Sequence, residues 1–160
     1  MSPTGHLAIG FIAKRYTPKT PVFILLIAAY FIDILYFCFI IIGLDTTAAS
    51  LWSHSLLIAL AWSIVTILLT FLISKKIRLG LILGIVVFSH WILDFLVWDD
   101  LPTAFNTTNK IGLGFYNIIG FDPSNIKFNK AIIIATLLEL GLLFFGLLIY
   151  IRVIKKQKNK

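Results

Sequence analysis

The chain has 160 residues, of which 59% are hydrophobic and only 13% charged, with a mean hydropathy of +0.99. The length is one domain's worth, and the hydropathy exceeds what a soluble domain carries. Composition therefore excludes a water-soluble globular enzyme and predicts a single integral membrane domain over 1–160.

The formal net charge of +7 points to a membrane surface, not to nucleic acid, because of where the charges lie. Eleven of the fourteen basic residues flank apolar runs on what alternation makes one side: Lys14, Arg15, Lys19, Lys75, Lys76, Arg78, Arg152, Lys155, Lys156, Lys158 and Lys160. Lys110, Lys127 and Lys130 share the other side with Asp45, Asp99, Asp100 and Asp122. This is the positive-inside pattern, and with four spans it puts both termini in the cytoplasm. Cys38 stands alone and cannot form an internal disulfide.

Residues 2–13, SPTGHLAIGFIA, start with Ser2 as a cap and Pro3 at the first helical position, and Lys14-Arg15 close the segment. About eleven helical residues reach roughly 16 Å, half the hydrocarbon thickness. Such a helix either enters halfway or lies on the surface. The first full span is 21–44, with Asp33 near its middle. It begins too late and runs too long for a signal-peptide core, so no cleavable leader is expected.

Residues 45–50 read as a short polar link, and 51–73 as the second span, with His54 near its start. The third span, 78–98, carries Gly80 and Gly84 as a small-residue face for a neighbouring helix. Its SHWILDFLVW stretch places His90 and Asp94 one turn apart on one face. Residues 99–130 are a long connection rich in Asn, Gly and Thr, expected to act as a cover. The fourth span, 131–151, holds Glu139 and leads into a basic tail. The predicted fold is thus an all-α membrane protein of four transmembrane helices plus a short N-terminal half-membrane or interfacial helix.

Ionisable groups at membrane depth cost at least a few kcal/mol each and mark function. Counted from the outer ends of their spans, His54 and Asp94 lie roughly 5 Å deep, His90 and Glu139 about 12 Å and Asp33 about 16 Å. His6 joins them only if residues 3–13 enter as a half helix with Lys14 and Arg15 at the inner face. His, His, Asp and Asp are ligands that zinc and similar divalent ions prefer, and a cation between two carboxylates removes their repulsion. Ser53, Ser55, Ser89, Tyr30 and Tyr36 could hydrogen-bond such ligands. Each residue also has a plainer reading: His54 as an interfacial histidine, Asp94 facing water, Glu139 as a protonated helix residue, and Trp52, Trp91 and Trp98 as belt or packing residues. The KIGLGFYN stretch from Lys110 to Asn117 is no phosphate loop.

In order along the chain stand Gly5-His6, Asp33, His54-Ser55, and His90 with Asp94. This order, over residues 2–120, resembles the bacterial inner-membrane metal-dependent hydrolase-like proteins. Those are distantly similar to the zinc-dependent bacterial phospholipase C fold. The resemblance implies that Asp33, His54, His90 and Asp94 ligate one metal, with His6 near a second metal bridged by Asp94. It also implies hydrolysis of a lipid or another phosphoester by a metal-activated water, with Asp33 as ligand or general base and residues 99–130 over the site. Two features depart from the pattern. No histidine follows His90, so a further His/His/Glu cluster has no counterpart, and Phe31–Leu35 offers one carboxylate where relatives carry Asp-x-Asp-His. The residues alone leave open a small transporter or permease using the same cluster. They also leave open a non-catalytic scaffold, or a haem protein ligated by His54 and His90. The partners expected are the bilayer and a lipid or phosphoester substrate.

Overall fold

The computed structural model describes residues 3–105, 108–121 and 130–159. Ser2, expected to cap the first helix, Asp122 and Lys127 of the long connection, and Lys160 lie outside the described residues. The elements run α1 (Pro3–Ala13), α2 (Val22–Ile41), α3 (Thr46–His54), α4 (Leu56–Ser74) and α5 (Ile77–Val97). Two-residue strands β1 (Leu101–Pro102) and β2 (Lys110–Ile111) follow, then α6 (Phe115–Ile118) and α7 (Lys130–Lys158). Helices α2, α4, α5 and α7 are long and apolar enough to cross a membrane. Their outward faces, including Ile64, Leu68, Leu72 and Ile73 on α4 and Leu137, Phe144 and Phe145 on α7, are exposed. Apolar surface of that extent needs lipid around it.

Helix α5 is the axis of the bundle: half of its most apolar window is buried, against 17–22% in the other three spans. The face with Gly80 and Gly84 forms the seam with α4. A Cβ on Gly80 would lie 2.7 Å from the Ile67 carbonyl oxygen, so only glycine permits this approach. The Ser63 hydroxyl donates across the seam to the Gly84 carbonyl at 2.8 Å. Helix α2 buries Leu25, Ala28, Ala29 and Ile32, spaced as one helical stripe, against Val86, Val87 and Trp91 of α5.

The first helix does not lie on a surface. It packs against α2, α5 and α7, with His6, Ala8 and Gly10 buried. The chain then reverses into α2 through a turn held by Lys14 Nζ, which donates to the Thr20 carbonyl at 2.5 Å, and by the Thr17 hydroxyl, which donates to that of Ala13 at 3.2 Å.

Two segments differ from expectation. The polar link 45–50 is helical, because Asp45 caps it by accepting the Ala48 amide at 2.8 Å. The second span is therefore not one helix from 51: the chain turns extended at Ser55 (φ −69°, ψ 146°) and restarts at Leu56. The connection 99–130 carries its own structure, with β1 antiparallel to β2 and Leu101 opposite Ile111. The Leu113 amide donates to Phe95 and that of Gly114 to Trp98, which stitches this segment to the end of α5. The basic tail continues α7 as helix to Lys158.

Candidate metal centre

Five ionisable side chains from four helices meet at one end of the bundle: His6 of α1, Asp33 of α2, His54 ending α3, and His90 and Asp94 of α5. Asp33 lies eight residues before the end of α2, and His90 and Asp94 lie seven and three before the end of α5. These offsets are roughly 12, 10 and 5 Å of helix. The break at Ser55 ends α3 at His54, whose ring thereby reaches the carboxylates of α2 and α5.

The donor atoms form one set. His54 Nε2 lies 3.4 Å from Asp33 Oδ1 and 3.8 Å from Asp94 Oδ2. His90 Nε2 lies 3.4 Å from each of the same two oxygens. A charge-assisted N–H···O bond would bring these atoms to about 2.7–2.9 Å. Four donors about 2.0–2.1 Å from a central ion in a tetrahedron stand roughly 3.3–3.4 Å apart. Three of the four separations match the second figure and none the first.

The hydrogen bonds on the far side of each ring say which nitrogen is free to ligate. His90 Nδ1 is 2.8 Å from the Ala29 carbonyl, which can only accept, so this nitrogen carries the proton. The Ser53 hydroxyl donates to the Ala49 carbonyl at 2.6 Å and so accepts from His54 Nδ1 at 2.7 Å. In the neutral rings both Nε2 atoms then present lone pairs towards the carboxylates. His90 Nε2 is buried and has no hydrogen-bond partner among the described residues. Lone pairs facing carboxylate oxygens repel unless a cation lies between them, and a divalent ion balances the two carboxylate charges. The residues fit a metal.

His6 completes the cluster. Its ring stacks on His90, with centroids 3.7 Å apart and planes 7° from parallel, and its Nε2 lies 3.5 Å from Asp94 Oδ1. Two sets of donors could hold an ion: His54, His90 and Asp94, and His6, Asp33 and His90. His54 and His90 have ring centroids 5.6 Å apart with the carboxylates beside them, which leaves no room for a porphyrin plane between them.

Compared with protein-family models, curated proteins and solved structures, the chain finds no match. Its chemistry is read from its own geometry.

A cavity of about 380 Å³ opens beside the donors, lined by Asp33, His54 and Asp94 and also by Tyr36, Ser50, Trp98 and Asp100. The start of the long connection thus borders the site, whereas residues 113–121 pack on the ends of α5 and α7. Of the neighbours expected to hold the ligands, Ser53 does so and Tyr36 meets His54 edge-on at 5.7 Å. Tyr30 meets His6 edge-on at 6.3 Å. The Ser89 hydroxyl instead donates to the Val86 carbonyl within its own helix, and Ser55 Oγ has no hydrogen-bond partner among the described residues. Glu139 belongs to neither donor set. It is buried and accepts from the Thr4 hydroxyl at 2.8 Å and from the Tyr116 hydroxyl, which ties α1 and α6 to α7. The Ala29 carbonyl was not legible beforehand, since a main-chain acceptor leaves no mark in a sequence.

Proposed function

We propose that this chain is a membrane-embedded, metal-dependent hydrolase acting on a lipid or another phosphoester. In this reading His54, His90 and Asp94 hold a divalent ion, zinc by donor type, and Asp33 is the general base. The observation that carries it is that His54, His90 and Asp94 bring one donor atom each to a common point, with His90 Nε2 and Asp94 Oδ2 3.4 Å apart and His54 Nε2 and Asp94 Oδ2 3.8 Å apart, too far for hydrogen bonds. A metal bound there supplies Lewis acidity and a water activated near neutral pH.

Three protein donors with one open position make a catalytic zinc site, whereas four close it. Asp33 is the donor on the open side, its side chain 27% exposed against 5% for Asp94. Its Oδ1 accepts the proton of the attacking water. Asp94 stays fixed between His90 and His6, and His54 and His90 are oriented by Ser53 and the Ala29 carbonyl. In the family the motifs resemble, His6 would stand beside a second ion. Phe37, Trp98 and Leu101 give the cavity an apolar wall beside Ser50 and Asp100, which suits an amphipathic substrate drawn from the bilayer. The basic residues support a place in the bacterial inner membrane, with both termini cytoplasmic and the site in the outer half.

The test is Asp33→Asn assayed with detergent-dispersed phospholipids and soluble phosphodiesters. The expected variant keeps its metal and loses about 100-fold or more in turnover. Metal-loaded wild-type protein that hydrolyses neither substrate class would refute the hydrolase reading.

A further inference from the structure

A second cavity lies at the opposite end of the bundle from the donor cluster. It is a groove of about 670 Å³ between the α1–α2 turn and the end of α7. Arg15 and Lys19 of the turn and Arg152 and Lys156 of α7 line it, with no acidic side chain among its lining residues. Among the described residues, the one ion pair made by a Lys or Arg is Lys110 with Asp100, at the other end of the bundle. Four positive charges therefore face one cavity with no counter-ion among the described residues. Between them the wall is apolar, with Ile149 and Val153 on α7.

The groove is held in shape from both sides. The amide of Gln157 donates to the Pro18 carbonyl at 2.6 Å, which joins the end of α7 to the turn. Lys14, beside Arg15 in the turn, is buried with its Nζ spent on the Thr20 carbonyl, so it fixes the turn instead of facing the cavity. Further along the same seam Phe11 meets Tyr150 at 5.4 Å, and a Cβ on Gly146 would lie 2.7 Å from the Ala8 carbonyl oxygen. The two helices are thus in close contact up to the point where the groove opens.

We infer that this groove binds the headgroup of an anionic phospholipid, with the phosphate among Arg15, Lys19, Arg152 and Lys156 and the acyl chains against Ile149 and Val153. Clustered cations at the end of membrane spans attract phosphate, and Arg meets it with two parallel hydrogen bonds. The apolar wall is what distinguishes a lipid from a free phosphate ion, which would gain nothing from it. The ligand is not the hydrolase substrate, because Arg15 stands nine residues along α1–turn from His6, on the far side of the bundle from the cavity that holds Asp33. Its role is to lock α1 onto α7, and so to hold His6 against His90 from a distance.

Native mass spectrometry of the full chain, released from vesicles of equal phosphatidylglycerol and phosphatidylcholine, tests this. The protein is expected to retain one phosphatidylglycerol in preference to phosphatidylcholine. Arg152→Gln/Lys156→Gln is expected to lower that retention about tenfold or more, the order that two interfacial cations supply. Lys75→Gln/Lys76→Gln, which removes two cations of the α4–α5 turn, is expected to leave it unchanged. Equal retention of the two lipids, or equal loss in both double variants, would overturn the inference by reducing it to general surface charge. Displacement of the lipid by millimolar inorganic phosphate would overturn it in favour of a free anion. Circular dichroism of each variant shows whether it is folded. Should Arg152→Gln/Lys156→Gln fail to fold, Arg15→Gln/Lys19→Gln carries the same expectation.

Discussion

Ser53→Ala isolates the orientation of one ligand from the ligand itself. Ser53 is fully buried, and its hydroxyl is the acceptor for His54 Nδ1 at 2.7 Å. Alanine leaves that N–H without its acceptor, which costs about 1–3 kcal/mol where the group is kept from water. The ring can escape the cost by moving its proton to Nε2, but that nitrogen then no longer ligates. Loss of such an outer hydrogen bond lowers metal affinity about 10–100-fold, or roughly 1.4–2.7 kcal/mol, so two separate lines agree. The helix itself loses little, because the bond from Ser53 to the Ala49 carbonyl is a weak back-bond and alanine is the better helix former. The expected result is therefore a metal affinity reduced 10–100-fold, measured by chelator competition in detergent, in a protein whose metal-free melting temperature barely moves. Wild-type affinity in a folded Ser53→Ala protein would refute the argument that the hydrogen bonds set which nitrogen faces the metal.

Gly84→Val tests the α4–α5 seam: its Cβ would meet the Ser63 carbonyl oxygen at 3.0 Å and also strike the Ile67 side chain. A loss of about 1–3 kcal/mol is expected in detergent unfolding, and unchanged stability would show that the helices are not so closely apposed. Glu139→Ala removes the acceptor of Thr4 and Tyr116 and is expected to cost about 1–3 kcal/mol while leaving metal content intact. A folded Glu139→Ala protein without metal would place Glu139 in the site instead.

The spans were legible because a bilayer asks for about twenty apolar residues in a row, and a sequence shows that directly. His90 and Asp94 were legible because four residues make one turn, and Asp33 because a lone acid in an apolar run stands out. The break at Ser55 was not, since one extended residue leaves the hydropathy of its neighbourhood unchanged. The place of α1 was ambiguous for a related reason. Apart from His6, its buried residues are Gly5, Ala8, Gly10 and Ala13, which contrast little with the apolar residues between them, so composition alone does not tell an inserted helix from one on the surface. Ser89 stands beside His90 in sequence, yet its proton goes to its own helix. Ala29, by contrast, holds His90 through a carbonyl that any residue type would supply.

The most direct measurement is the metal content of the detergent-purified full chain beside its His90→Ala variant. The account predicts a stoichiometric divalent metal, zinc first among candidates, in the wild-type protein and a loss to background in the variant while the helical circular dichroism signal persists. A folded wild-type protein that carries no metal and takes none up when zinc is supplied would contradict it.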